Sequence, residues 1–157
     1  MLSVLAEGPG YLFALWRNLY IIDFRSTPTI EGLRATVSAK KAAVKQSPGG
    51  LAVVNFLAPG PLPSAEVRQV ASEVQSADLS DVLCHATIVE ATGFAGSAMR
   101  SVLTGMRVFE KSPFPRKVFG EVTEALTWSA QQAKASAEWQ IGAHKAVDEL
   151  RARRTPR

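Results

Sequence analysis

The sequence predicts an α/β domain built on a mixed sheet of five strands, and three observations carry that prediction. Short runs rich in aromatic and β-branched residues alternate with longer stretches whose apolar residues recur every three or four positions. The first two runs are separated by only two residues, so they pair antiparallel. Every later run follows a helix-length segment, which makes neighbouring strands parallel. The order reads ββαβαβαβα, with an extended helix at the end. Residues 1–10 read as an N-terminal lead, 11–130 as the domain, and 131–157 as a helical extension with a basic tail.

The opening hairpin comes from Tyr11 to Trp16 and from Leu19 to Phe24, joined by Arg17-Asn18, where asparagine tolerates the positive φ of a tight turn. Thr27 caps the first helix, with Pro28 in its first turn. Behind them Ile30, Leu33, Val37 and Val44 form the apolar stripe, while Arg34, Lys40, Lys41 and Lys45 fall mostly elsewhere. Ser47-Pro48-Gly49-Gly50 stops that helix. Leu51 to Leu57 is short and almost wholly apolar, as a strand buried on both faces should be. After the proline-rich turn 58–63, Ser64 caps a second helix whose inner face is Val67, Val70, Ala71 and Val74. Val82 to Glu90 is the next strand. Gly93-Phe94-Ala95-Gly96 then turns the chain into a third helix, with Met99, Val102, Leu103, Met106 and Phe109 on one stripe. Lys117-Val118-Phe119 is a brief last strand, and Thr123 caps the terminal helix, with Val122 as a staple toward Leu126.

At 157 residues and 46% hydrophobic, the chain can bury one adequate core, which argues against disorder. No apolar run reaches 18 residues, and Glu7-Gly8-Pro9 interrupts the opening, so neither a membrane span nor a signal peptide is expected and the address is cytoplasmic. The net charge of +4 is uneven: from Gln131 onward six cations face three anions, and the rest of the chain is nearly balanced. A basic tail alone does not make a nucleic-acid interface.

The element order, together with Phe114 to Trp128, resembles the SpoIIAA-like or STAS-like family of bacterial domains. Val118-Phe119 and Glu124-Ala125-Leu126 with Trp128 look like that family's closing pattern. The resemblance spans about residues 11–130 and implies a regulatory interaction domain without catalysis. Members acting as anti-sigma factor antagonists carry an Asp-Ser-Ser-Gly-like stretch with a phosphorylated serine. This chain reads Leu57-Ala58-Pro59-Gly60-Pro61-Leu62-Pro63-Ser64 there and departs from that motif. Ser64, at a helix start, tolerates added phosphate charge as a regulatory site and equally serves as a plain cap.

Catalysis has little to work with. Cys84 and His85 are adjacent in a strand and point to opposite faces, so they do not pair. His144 lies on the terminal helix. Asp23 is the one carboxylate within a strongly apolar strand and could pair with Arg17 or Arg25 at a sheet edge. No ligand set has metal spacing, and no cofactor is expected. Gly93, Gly96, Ser97 and Arg100 offer a strand-to-helix turn that could hold an anion, a nucleotide or a lipid headgroup, although the phosphate-loop and dinucleotide fingerprints both fail.

From Thr123 to Arg153 there is no proline and one glycine, which predicts a helix of about 30 residues, roughly 45 Å long. That exceeds what a small sheet can cover. It reads either as a solvated extension or as a helix that docks a protein partner or a second copy through Trp139, Ile141, Val147 and Leu150. Arg151, Arg153 and Arg154 add a third reading, contact with a membrane surface or nucleic acid. The function expected is a non-enzymatic interaction domain; the alternative is a small-ligand domain using the turn from Gly93 to Arg100.

Overall fold

The computed structural model describes residues 1–61, 63–77, 80–108 and 111–153, with side chains throughout except at 106–108. Phe109, the Met106 side chain and Arg154 therefore lie outside the described residues. The fold is α/β, but the sheet has six strands, in sequential order from β1 to β6. The extra strand is β1 (Ser3–Gly8), which pairs antiparallel with β2 (Tyr11–Trp16) across the two-residue turn Pro9-Gly10. Residues 1–10 are thus an edge strand rather than a lead. Its apolar content is low because its outer side is open to solvent, and an irregular register between Val4 and Ala6 bends it.

β2 pairs antiparallel with β3 (Leu19–Phe24) through the hairpin read from the sequence. The residue with positive φ in that turn is Arg17, at 52°, not Asn18. Asn18 is occupied otherwise: its amide nitrogen donates to Gly50 O at 3.3 Å and its oxygen accepts from the Trp139 indole at 2.8 Å. β4 (Leu51–Leu57), β5 (Val82–Ile88) and β6 (Arg116–Phe119) follow in parallel.

Two helical layers cover the sheet. On one side α1 (Ile30–Gln46) lies over β1 to β3, α2 (Ala65–Ser76) packs on α1, and α3 (Gly93–Val108) packs on β6. Sequential parallel strands with right-handed crossovers put all three on one face. The cap of α1 is Thr29, whose Oγ1 accepts from Gly32 N at 3.1 Å, two residues beyond the expected Thr27. Ser64 caps α2 as expected. The α3 stripe is less buried than its periodicity suggests, with Val102 57% exposed; Phe94, outside that stripe, is 90% exposed.

The opposite face carries α4 (Val122–Gln132) and α5 (Ala137–Ala152), which replace the single long helix. Glu121, not Thr123, stands at the α4 cap position and makes no side-chain capping bond. Lys134 takes φ 51°, and Ala135 N donates to Ala130 O at 2.8 Å, so a left-handed residue ends α4 where glycine would be usual. Ser136 then caps α5 by accepting from Trp139 N at 3.2 Å. The break lets α5 fold back over the sheet. Trp139, Ala143, Ala146, Val147 and Leu150, spaced for one helical face, join Leu12, Leu19, Ile21 and Leu126 in the core.

α5 approaches β2 closely because Gly142 has no side chain. A Cβ there would stand 2.3 Å from Cζ2 of Trp16. Gly142→Ala gains about 1 kcal/mol of helix propensity. Overpacking costs about 1–3 kcal/mol, so a net loss of stability is expected in denaturant melts.

Candidate functional site

The strand register builds the site. Tyr20 of β3, Val53 of β4, His85 of β5 and Arg116 of β6 are successive lateral partners and share the α1 side of the sheet. Toward β3 this row is roofed by α1. Tyr20 OH donates to Thr36 O at 3.2 Å, and burial pushes the Tyr20 pKa far above its ordinary value, so the phenol stays neutral. Farther along, α2 packs mainly on α1 and α3 packs on β6. A cavity of about 630 Å³ remains between α1, α2 and that face of the sheet.

Its walls are apolar: Ile22, Val37, Val44, Val74, Val82 and Phe114 contribute along with Val53. Its described charges are of one sign. Lys40, Lys41, Lys45 and Arg116 line it, His85 lies in its floor, and no carboxylate is among the described lining residues. Lys40 is half-buried beside the opening, while Lys41 and Lys45 are exposed and make no ion pair among the described residues. Arg116 donates from Nε to Ser112 Oγ at 3.1 Å, and its guanidinium lies 4.7 Å from the Phe114 ring centre. An anion near this mouth meets several cations, and an apolar group inside it leaves water.

Sequence reasoning missed this site because its parts are distant in the chain. The one local signal was three lysines, 40, 41 and 45, crowded beside an apolar stripe, a pattern that equally marks a solvated helix face.

The residues that were singled out go elsewhere. Trp139, Val147 and Leu150 are 5%, 1% and 0% exposed, so the proposed docking surface is internal; Ile141 alone remains outside, 59% exposed. Ser64 is an exposed cap. Gly93 takes φ 77°, and a Cβ on Gly96 would lie 1.9 Å from Ala91 O, so the preceding loop's own backbone fills the turn. Arg100 faces that loop, donating to Val89 O at 3.0 Å, Ala91 O at 2.8 Å and Ser97 Oγ at 3.3 Å. It braces α3 to the end of β5. Arg100→Ala leaves two carbonyls short of a donor, at about 1–3 kcal/mol. Faster amide exchange over residues 89–97 is the expected result, and unchanged exchange there would refute the brace.

Cys84 and His85 do point apart: Cys84 is fully buried under α4, with Sγ 3.9 Å from Ser129 O, and His85 faces the cavity. Burial pushes the Cys84 thiol up to about 11, so it holds its proton at neutral pH. Asp23 is fully buried at the end of an internal strand, not at a sheet edge, with Arg25 Nε 3.5 Å from its Oδ2. Glu90 pairs with Arg151, whose guanidinium lies over Phe56. Among the described residues no three His, Cys, Asp or Glu side chains converge as metal ligands, and no helix is long and apolar enough to cross a membrane. No family model, no curated protein and no solved structure matches this chain.

Proposed function

We propose that this protein is a non-catalytic, STAS-like binding domain of the cytoplasm whose cavity between α1, α2 and the sheet takes a small organic anion. One observation carries the reading: an apolar cavity of about 630 Å³ whose charged lining residues, among those described, are all cations. That volume lies within the ordinary range of small-molecule sites. Its sign of charge selects anions over neutral or cationic molecules of the same shape. The STAS-like part of the reading draws support from the sequential parallel strands β3 to β6, with α1 to α3 on one face. A regulatory role follows if occupancy repositions α2, none of whose residues is fully buried. Trp139, Val147 and Leu150 of the terminal helix are committed to the core, which leaves Ile141 alone of that set facing outward.

The test is a thermal-shift panel of organic carboxylates and phosphates against the wild type and Lys40→Glu/Lys45→Glu. An anion at a hundred times its Kd stabilises the wild type by about 2.7 kcal/mol. Charge reversal is expected to remove most of that shift while leaving the unliganded melting temperature within a few degrees. If no anion in the panel stabilises the wild type, the reading fails.

A further inference from the structure

The anion-pocket reading leaves the ligand's body open, and the hydrogen bonds of the cavity narrow it. Tyr20 OH is spent on Thr36 O, Thr36 Oγ1 on Leu33 O at 2.6 Å, and Arg116 Nε on Ser112 Oγ. Apart from Gln75, His85 and the cations already named, the rest of the described lining is aliphatic or aromatic. A sugar or nucleoside placed there would bury hydroxyl and ring polar groups against valine and isoleucine, at about 1–3 kcal/mol for each one left unpaired. A hydrocarbon body has no such cost and gains from every apolar contact.

We infer that the ligand is a carboxylic acid with a long hydrocarbon body, an acyl carboxylate, bound with its head at the α1 lysines and its chain across the strands. The orientation follows from the register. The row from Tyr20 to Arg116 crosses three inter-strand gaps, about 14 Å in all. Lys40, Lys41 and Lys45 stand toward one end of it, on the helix that covers Tyr20. Phe114 and Arg116 stand at the other, the guanidinium already laid on an aromatic ring. A chain running from the lysines across Val53 toward Phe114 keeps its carboxylate at the wet mouth and its carbons inside. This rests on the anion-pocket reading and goes further by giving the ligand a hydrocarbon body in place of a sugar or nucleoside.

The decisive experiment is isothermal titration of the full-length protein with dodecanoate below its micelle concentration, alongside dodecanol, AMP, glucose 6-phosphate and an acidic amphipathic peptide. Dodecanoate is expected to bind one per chain, with dodecanol about tenfold weaker or worse, as loss of a charge-assisted contact implies. Lys40→Glu/Lys45→Glu is expected to weaken dodecanoate by a similar factor. Lys134→Glu/Lys145→Glu, the same charge change away from the cavity, should leave it unchanged. Tighter binding of AMP or glucose 6-phosphate, abolished by the cavity variant, would overturn the acyl assignment while the anion pocket stands. No binding by any anion would overturn both. Equal affinity for dodecanol, binding without a fixed stoichiometry, or peptide binding that dodecanoate does not displace would each overturn the inference.

Discussion

A chain ending at Gln132 is expected to lose its native fold rather than survive as a trimmed domain. The segment removed is α5, which places Trp139, Ala143, Ala146, Val147 and Leu150 on the sheet face formed by Leu12, Ala14, Leu19 and Ile21. Truncating one buried leucine to alanine costs about 2–5 kcal/mol, and one buried tryptophan about 3–5 kcal/mol. A domain of this size is stable by only about 5–15 kcal/mol. Deleting two such anchors and three smaller residues at once therefore removes an amount comparable to the whole stability. It also strips Asn18 of the indole N–H that it accepts. The truncated chain should be insoluble or bind a hydrophobic dye, with no near-ultraviolet circular dichroism. A soluble product melting near the full-length temperature would show that α5 is an appendage. Leu150→Ala should lose stability in the range given above, whereas Ile141→Ala, on the exposed side of the same helix, should stay within about 0.5 kcal/mol of wild type.

That prediction inverts what the sequence suggests about the same residues, and the inversion has a local cause. A helix read as continuous from Thr123 puts Ala137, Ile141 and His144 on the inner stripe, whereas restarting it at Ser136 turns Trp139, Ala143 and Ala146 inward instead. The restart had a legible mark, a serine followed two residues later by Glu138, as at many helix starts. The stop had none, because Lys134 occupies the left-handed position that glycine usually marks. The strands from Tyr11 onward and helices α1 to α3 were legible because each has its own periodicity and its own punctuation. β1 was not, since this short edge strand has no clear alternation of its own and takes its place by pairing with β2 and packing under α1. The cavity was not legible either. Tyr20, Val53, His85 and Arg116 become neighbours only through parallel register across four strands.

Above pH 9 the protein is expected to lose stability through Cys84 before any other group described here. Its thiol is fully buried between β5 and α4, and desolvation, opposed by hydrogen bonding to Ser129 and to the Val53 backbone, raises its pKa to about 11. In the unfolded chain the same thiol ionises near 8.5. Between those values the unfolded chain has released a proton that the folded chain retains, so stability is complete below about pH 8 and falls as pH rises. The loss should reach about 1–2 kcal/mol by pH 10, out of about 3 kcal/mol once the folded thiol also ionises, at about 1.4 kcal/mol per tenfold change in acid constant. Tyr20, whose pKa is also raised by burial, extends the decline above its unfolded value near 10. Denaturant midpoints of wild type and Cys84→Ala between pH 7 and 10 separate the two contributions. The variant starts lower at pH 7 because it leaves a small void, and its stability should then stay nearly flat to pH 9.5 while that of the wild type declines. Parallel curves for the two proteins would show that Cys84 carries no part of the alkaline loss. Alkylation of the native thiol at pH 7 supplies an independent check. The thiolate fraction is suppressed about a hundredfold by the raised pKa and the sulfur is out of reach of solvent, so labelling should proceed only at the rate at which β5 and α4 come apart.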